Sequence, residues 1–202
     1  MSDANFQTAL EALYATFAHP RPSIVTGCPC CLDQKNIGAL TSKPLCDLTD
    51  GDLAPYASSV FLTVDGDDFR YFLPRIFELS AAVSGWWPSP EVAIGKLRRA
   101  NWNDWPERDR QAVRSFLAAW LDSVLARGAD HAHDADSILC GIALSGDDLA
   151  PYLARLRDHA DLLAAYRDTN ATALSQGKLI NGFWEESPHA AREVIELLSD
   201  IP

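Results

Sequence analysis

Four of the five cysteines lie in the first quarter of the chain, and their spacing suggests chemistry more directly than any other feature. Cys28 and Cys31 form a C-x-x-C pair, with His19 upstream and Cys46 downstream. Tetrahedral zinc needs four nitrogen or sulfur ligands, and a C-x-x-C turn presents two thiolates from one short segment. His19, Cys28, Cys31 and Cys46 therefore form a candidate zinc site, although its second half is not another C-x-x-C.

The same pair allows two other interpretations. A thiol at a helix N-terminus has a lowered pKa, and all-α proteins that resemble the alkylhydroperoxidase D family use such a pair with a histidine shortly after the second cysteine. Residues 32–35 contain no histidine, so the proton relay of a thiol-redox site is missing here. No strand–helix–strand pattern supports a thioredoxin-like site either. The third interpretation is unreactive thiols that pack beneath the first helices.

Two polar segments invite a functional interpretation but are explained as structure. Residues 131–136 read HAHDAD, a string of metal-ligand types that no second cluster complements, and we predict a polar loop there. Six basic residues lie between positions 96 and 114, together with Trp102 and Trp105. Basic residues interleaved with aromatic ones can bind nucleic acid or an anionic ligand. Because both flanking segments have amphipathic helical spacing, we predict that the tryptophans belong to the core.

Charge and composition set the expected class of partner. The formal net charge is −11 and the pI is near 4.7, which argues against nucleic acid and against anionic lipid as partners. Such a field would steer a basic partner protein toward the surface. The first residues show no secretory signal pattern, and the longest apolar run, 138–144, is too short to span a bilayer. We therefore expect a cytoplasmic protein with no membrane segment.

The elements that must position these residues are helices. Val113, Phe116, Leu117, Trp120 and Leu121 repeat at three- and four-residue spacing after the helix start at 104–107, and similar stripes recur along the chain. No stretch alternates polar and apolar residues as a strand does. The sequence predicts a single all-α domain over residues 1–202, either an irregular bundle or a short α-solenoid of roughly eight to nine helices.

Local signals predict where several helices begin. Thr49 with Asp52, and Ser145 with Asp148, have the spacing of capping boxes. The segments 50–56 (DGDLAPY) and 146–152 (GDDLAPY) resemble each other, which fits either a duplicated helical pair or reuse of one helix start. Pro74 lies inside a predicted helix, where we expect a kink or a break.

Three longer motifs carry a resemblance. GCPCC at 27–31, PLCDLTDGDLAPYA at 44–57 and DDFRYFLPRIFEL at 67–79 resemble a family of uncharacterised bacterial helical proteins. That resemblance implies a bacterial, cytoplasmic protein and brings no catalytic residue.

Nucleophile elbows, H-E-x-x-H and Rossmann glycines are absent, which weakens an enzyme assignment. We predict a helical interaction module of immunity or regulatory type whose acidic surface binds a basic protein; the alternative is a zinc or thiol-redox protein centred on Cys28 and Cys31.

Overall fold

The computed structural model of the chain describes residues 2–25, 32–59, 67–82, 85 and 87–200. These residues form α-helices and 3₁₀ turns and no β-strand, which confirms the all-α prediction. Short 3₁₀ turns lie at Leu45–Asp47, Trp102–Asp104, Ala129–His131 and Gly182–Glu186. The α-helices are α1 (Ser2–Thr16), α2 (Gln34–Ser42), α3 (Asp50–Ser58), α4 (Asp67–Ala82), α5 (Pro90–Arg99), α6 (Glu107–Leu125), α7 (Ala132–Ser145), α8 (Ala150–Arg157), α9 (Ala160–Leu174) and α10 (Pro188–Ser199).

An aromatic cluster joins α1 to α4 and α6. The ring centroid of Phe116 lies 5.5 Å from that of Phe6 and 5.6 Å from that of Phe77. Trp120, one turn further along α6, lies 5.9 Å from Phe116. Because residues four apart share a helix face, the predicted stripe of α6 packs against both neighbours. The buried apolar side chains of the described helices form one connected core.

A close crossing between α5 and α7 positions the candidate site. A Cβ atom at Gly141 would lie 2.8 Å from the carbonyl oxygen of Pro90 and 2.9 Å from the Cβ of Ile94. A Cβ at Gly95 would meet the Cβ of Leu144 at 3.2 Å. The two glycines therefore permit a helix separation that larger residues would not allow. As a result, the first turn of α5 lies against α7.

Three local predictions need correction. The part of the chain that the structure describes holds ten α-helices, slightly more than the eight to nine expected, because short segments such as α8 form helices of their own. Of the kink or break expected at Pro74, the break does not occur, because α4 continues through that residue. Residues 131–136 are not a loop, since α7 begins at Ala132 and includes Asp136.

The two LAPY segments start their helices differently. Thr49 and Asp52 form the predicted capping box, in which each side chain accepts a hydrogen bond from the other's backbone N–H. The predicted box at Ser145 is wrong, because Ser145 is buried as the last residue of α7 and Gly146 ends that helix with a φ of +79°. α8 begins at Ala150, so Pro151 lies in its first turn, whereas Pro55 lies inside α3. This difference favours reuse of similar residues over a duplicated helical pair.

Candidate functional site

The predicted zinc ligands are only partly covered by the structure. Cys28 and Cys31 lie outside the described residues. His19 and Cys46 are both exposed, and Cys46 is a free thiol. Among the described residues no group of three or more His, Cys, Asp or Glu side chains could hold a metal ion. The zinc site therefore stays a prediction.

The basic and aromatic segment is used in packing, as expected. Trp102 is fully buried, and its indole Nε1 donates a hydrogen bond to the carbonyl oxygen of Ser145 at 3.0 Å. The guanidinium of Arg114 lies 5.2 Å from the Trp102 ring centroid and binds Asp147 through Nε at 3.0 Å and Nη2 at 2.9 Å. A stacked and doubly hydrogen-bonded arginine is engaged within the protein. The part of this segment around Trp102 and Arg114 is therefore not the candidate site.

A buried carboxylate on α7 has a full set of hydrogen-bond donors. Asp136 is 5% exposed and accepts hydrogen bonds from the indole of Trp184 at 2.8 Å and from Nδ2 of Asn181 at 2.8 Å. The hydroxyl of Tyr166 is its third donor. Burial, reinforced by the charge of Asp136, raises the pKa of Tyr166 well above its usual value, so this phenol stays a neutral donor. The three bonds tie the C-terminal part of the chain to α7.

A second buried carboxylate, on α5, is only half satisfied. Glu91 is 4% exposed, and its Oε1 accepts a hydrogen bond from Nδ2 of Asn181 at 2.9 Å. The same amide nitrogen bonds Asp136, and the backbone N–H of Phe183 donates to Oδ1 of Asn181, which fixes the orientation of the amide. Oε2 of Glu91 is buried and has no hydrogen-bond partner among the described residues. An unpaired polar atom of this kind is costly and calls for an explanation.

A cavity of about 890 Å³ is lined by Glu91, and we call it the Glu91 cavity. Two large apolar side chains on its lining are exposed to solvent, Trp87 by 56% and Ile180 by 62%. Ser80 and Ser89 also line it, and each has a buried hydroxyl that finds no hydrogen-bond partner in the part of the chain that the structure describes. The volume is in the range of ligand sites. Three of the orphaned polar atoms of the described structure therefore belong to residues that line one cavity.

Two basic side chains on the lining of this cavity contact a carboxylate other than Glu91. Arg127 and His131 both line it, as does the exposed His133. Nδ1 of His131 lies 2.8 Å from a carboxylate oxygen of Asp134, and Nη2 of Arg127 lies 3.8 Å from the same oxygen. No ion pair within the described part of the chain includes the carboxylate of Glu91.

A second cavity of about 460 Å³, the Lys96 cavity, shares Glu91 and Phe183 with the first. Lys96 is 3% exposed, and its ammonium group donates a hydrogen bond to the backbone carbonyl of Ser59 at the end of α3. Burial lowers the pKa of Lys96 to about 8, and the neighbouring charge of Arg99 acts in the same direction. The cavity therefore contains a buried amine that changes charge near neutral pH.

The comparisons with known proteins give no relative of the chain: no family, curated protein or solved structure matches it. None of the helices in the described ranges is long and apolar enough to cross a membrane. In its described residues the chain is an all-α protein with two adjoining cavities that share Glu91 and Phe183.

No pattern in the sequence indicates these cavities. Ser89-Pro90-Glu91 has the composition of a helix start, with an N-cap residue, a proline and an acid in the first turn, and this pattern alone accounts for Glu91. The residue that orients Glu91, Asn181, is 90 positions away. Asp136 could have been found, because helical spacing continued backward from Leu139 and Ala143 places it on the buried stripe of α7. Because residues 131–136 were predicted to form a loop, this helical spacing was not extended back to Asp136.

Proposed function

We propose that this protein is a helical interaction module that binds a basic segment of a partner protein, with one lysine or arginine side chain of the partner in the Glu91 cavity. The observation that carries the proposal is the buried Oε2 of Glu91, to which no residue in the described ranges donates a hydrogen bond. A carboxylate of this kind is completed by an ammonium or guanidinium group. We also propose a cytoplasmic location, since Cys46 and Cys140 are free thiols.

The lining of the cavity suits the rest of such a side chain. Lysine and arginine carry apolar stems that pack on hydrophobic surface while the charged end finds a partner. Trp87 and Ile180 supply exposed apolar surface on the lining, and an indole ring also attracts a cation. The hydroxyls of Ser80 and Ser89 can accept the remaining N–H donors.

The overall charge favours the same partner. The chain has 28 acidic and 17 basic residues, and its net charge of −11 creates a field that attracts basic proteins over long range. Long-range attraction speeds encounter, whereas affinity comes from a few buried anchors. The Glu91 cavity provides one such anchor site on an acidic protein.

Binding can be tested with short peptides that differ in one central side chain. The probes are acetylated and amidated Ala-Arg-Ala, Ala-Lys-Ala and Ala-norleucine-Ala, added to ¹⁵N-labelled protein while the indole N–H signals of the six tryptophans are followed. We expect the arginine and lysine peptides to shift the Trp87 signal saturably. Glu91→Gln should weaken binding by about tenfold or more, because a charge-assisted hydrogen bond is lost.

Glu186→Gln is the matched control, because it removes the same charge from a residue that lines the Lys96 cavity and not the Glu91 cavity. Its effect should stay below about twofold, as expected for an exposed charge. Equal binding of the norleucine peptide would contradict the proposal, and so would an unchanged affinity in Glu91→Gln. Tighter binding of tetramethylammonium than of either basic peptide would replace the protein partner with a small organic cation.

A further inference from the structure

Lys96 is buried, and its ammonium group makes no ion pair with any of the described residues. Its only hydrogen bond among the described residues goes to the carbonyl oxygen of Ser59, although a lysine ammonium has three N–H donors. Burying a charge without a counter-ion is unfavourable, and such a group in a cleft is a candidate for a functional site. The spare donors of Lys96 therefore need acceptors.

The lining of the Lys96 cavity is much less acidic than the protein as a whole. The charged groups that face it from α5 are Glu91, Arg98 and Arg99, and the 3₁₀ turn Gly182–Glu186 contributes Glu186. α3 and α7 contribute only uncharged residues to the cavity, Ser58, Ser59 and Leu144. Three cations and two carboxylates thus line this cavity, whereas the whole chain has a net charge of −11.

We infer that the Lys96 cavity is a binding site for an oxyanion group, a carboxylate or a phosphate, held by the ammonium of Lys96 and the guanidinium groups of Arg98 and Arg99. An oxyanion has enough acceptor lone pairs for the spare donors of Lys96. Arginine and lysine are the side chains that most often bind such groups. This oxyanion site is independent of the proposed basic partner. The partner would place a cation in the Glu91 cavity, whereas the oxyanion binds in the Lys96 cavity.

The protonation of Lys96 should control this site. Only the protonated amine attracts an anion, and the pKa of Lys96 is about 8. Affinity should therefore be highest below pH 8 and should fall by about tenfold between pH 7 and pH 9, where most of the charge is lost. By the same linkage, a bound anion should raise the pKa of Lys96.

The chain makes this measurable because it has only four lysines, at positions 35, 43, 96 and 178. In protein labelled with ¹³C-lysine, each Cε signal reports the protonation of one side chain. Sodium acetate and sodium sulfate are titrated separately at constant ionic strength, with chloride as the balancing anion. We expect a saturable change at Lys96 and an increase of its pKa by at least about half a unit, with no comparable change at the other three lysines.

Three variants sharpen the test. Lys96→Met should abolish the site, whereas Lys43→Met, which removes the same charge elsewhere, should leave it intact. Glu91→Gln should strengthen anion binding, because it removes a negative charge from the lining, although the same change weakens the peptides in the Glu91 cavity. Failure of one proposal is thus distinguishable from failure of the other.

The relative affinities identify the ligand chemistry. Tighter binding of sulfate indicates a tetrahedral anion such as phosphate, and tighter binding of acetate indicates a carboxylate. Parallel changes at all four lysines, or an affinity that does not fall between pH 7 and pH 9, would overturn the inference. So would the absence of any saturable response to either anion.

Discussion

Asp136 and Glu91 are two buried carboxylates that share one amide nitrogen, and only one of them is satisfied. Asp136 accepts hydrogen bonds from Tyr166, Trp184 and Asn181. Within the described ranges Glu91 accepts one, from Asn181, and its other oxygen has no hydrogen-bond partner there. Burial alone therefore does not identify a binding residue. A carboxylate with all its hydrogen bonds made stabilises the fold, whereas one that lacks a hydrogen-bond partner can bind a ligand.

The cause of the difference is position in the fold. Asp136 lies on α7 beneath the C-terminal elements, which carry Tyr166 and Trp184 and surround it with donors. Glu91 lies in the first turn of α5, where the helix dipole favours a negative charge but a cavity replaces the second partner. The side-chain amide of Asn181 thus bonds both the structural carboxylate, Asp136, and the candidate binding carboxylate, Glu91.

The largest effect should come from removing the satisfied carboxylate. Asp136→Ala leaves the donors of Tyr166, Trp184 and Asn181 unpaired and opens a small cavity, so we expect a loss of about 3–5 kcal/mol in the free energy of unfolding. Urea unfolding followed by circular dichroism measures it. Asp134→Ala, two residues away with its side chain 50% exposed, is the control and should cost no more than about 1 kcal/mol. A cost below that level at Asp136 would show that its hydrogen bonds are not structural.

The next effect concerns the helix crossing that brings the two carboxylates together. Gly141→Ala places a Cβ 2.8 Å from the backbone oxygen of Pro90, and backbone cannot move aside as a side chain can. We expect a loss of about 2 kcal/mol despite the better helix propensity of alanine. Gly38→Ala is the matched control, since a Cβ there meets nothing within 4 Å and should stabilise α2 by up to about 1 kcal/mol. Equal effects of the two substitutions would mean that α5 and α7 can separate freely.

Much of the fold follows from local sequence. The stripe of α6, the start of α5 at Ser89-Pro90-Glu91 and the capping box at Thr49 are short-range signals, and the structure has all three. The capping prediction at Ser145 failed because Gly146 ends α7 there, a choice decided by the burial of α7 rather than by the cap. Local patterns therefore predict helices better than the points where consecutive helices meet.

The candidate site could not be predicted in the same way. Lys96 and Glu91 carry the charges expected on an exposed helix face, and their burial results from contacts with Ser59 and Asn181, which lie 37 and 90 positions away. Spacing along one helix carries no information about such partners. The zinc site, in contrast, was predicted from residues that are close together in the sequence. Because Cys28 and Cys31 lie outside the described residues, it stays a prediction.

A third buried charge, at Lys96, should have a pH-dependent effect of intermediate size. In the folded protein its pKa is about 8, against a usual value of 10.5, so burial penalises the protonated form below pH 8 and the penalty disappears as the pH rises to 10.5. Lys96→Met should therefore stabilise the protein at pH 7 by about 1–2 kcal/mol, less than the full linkage because Ser59 loses a donor. The gain should vanish by about pH 10.5.

Unfolding of the wild type and Lys96→Met in urea at pH 7, 8, 9 and 10 measures this difference, and groups common to both proteins cancel. Lys178→Met, which removes an exposed lysine, should show no such dependence on pH. A stabilisation by Lys96→Met that stayed constant across this range would mean that the amine does not titrate near pH 8.

The smallest effect on stability should come from Glu91→Gln, and it is the most informative for the comparison. Glutamine keeps an oxygen that accepts the hydrogen bond from Asn181. The substitution also removes a buried carboxylate whose second oxygen has no partner among the described residues. We therefore expect the free energy of unfolding to change by less than about 1 kcal/mol in either direction. The same substitution should weaken binding of the arginine peptide by about tenfold. A large loss of stability together with unchanged binding would contradict the proposal. Glu91 would then have the structural role of Asp136, with a carboxylate that stabilises the fold and does not bind a partner.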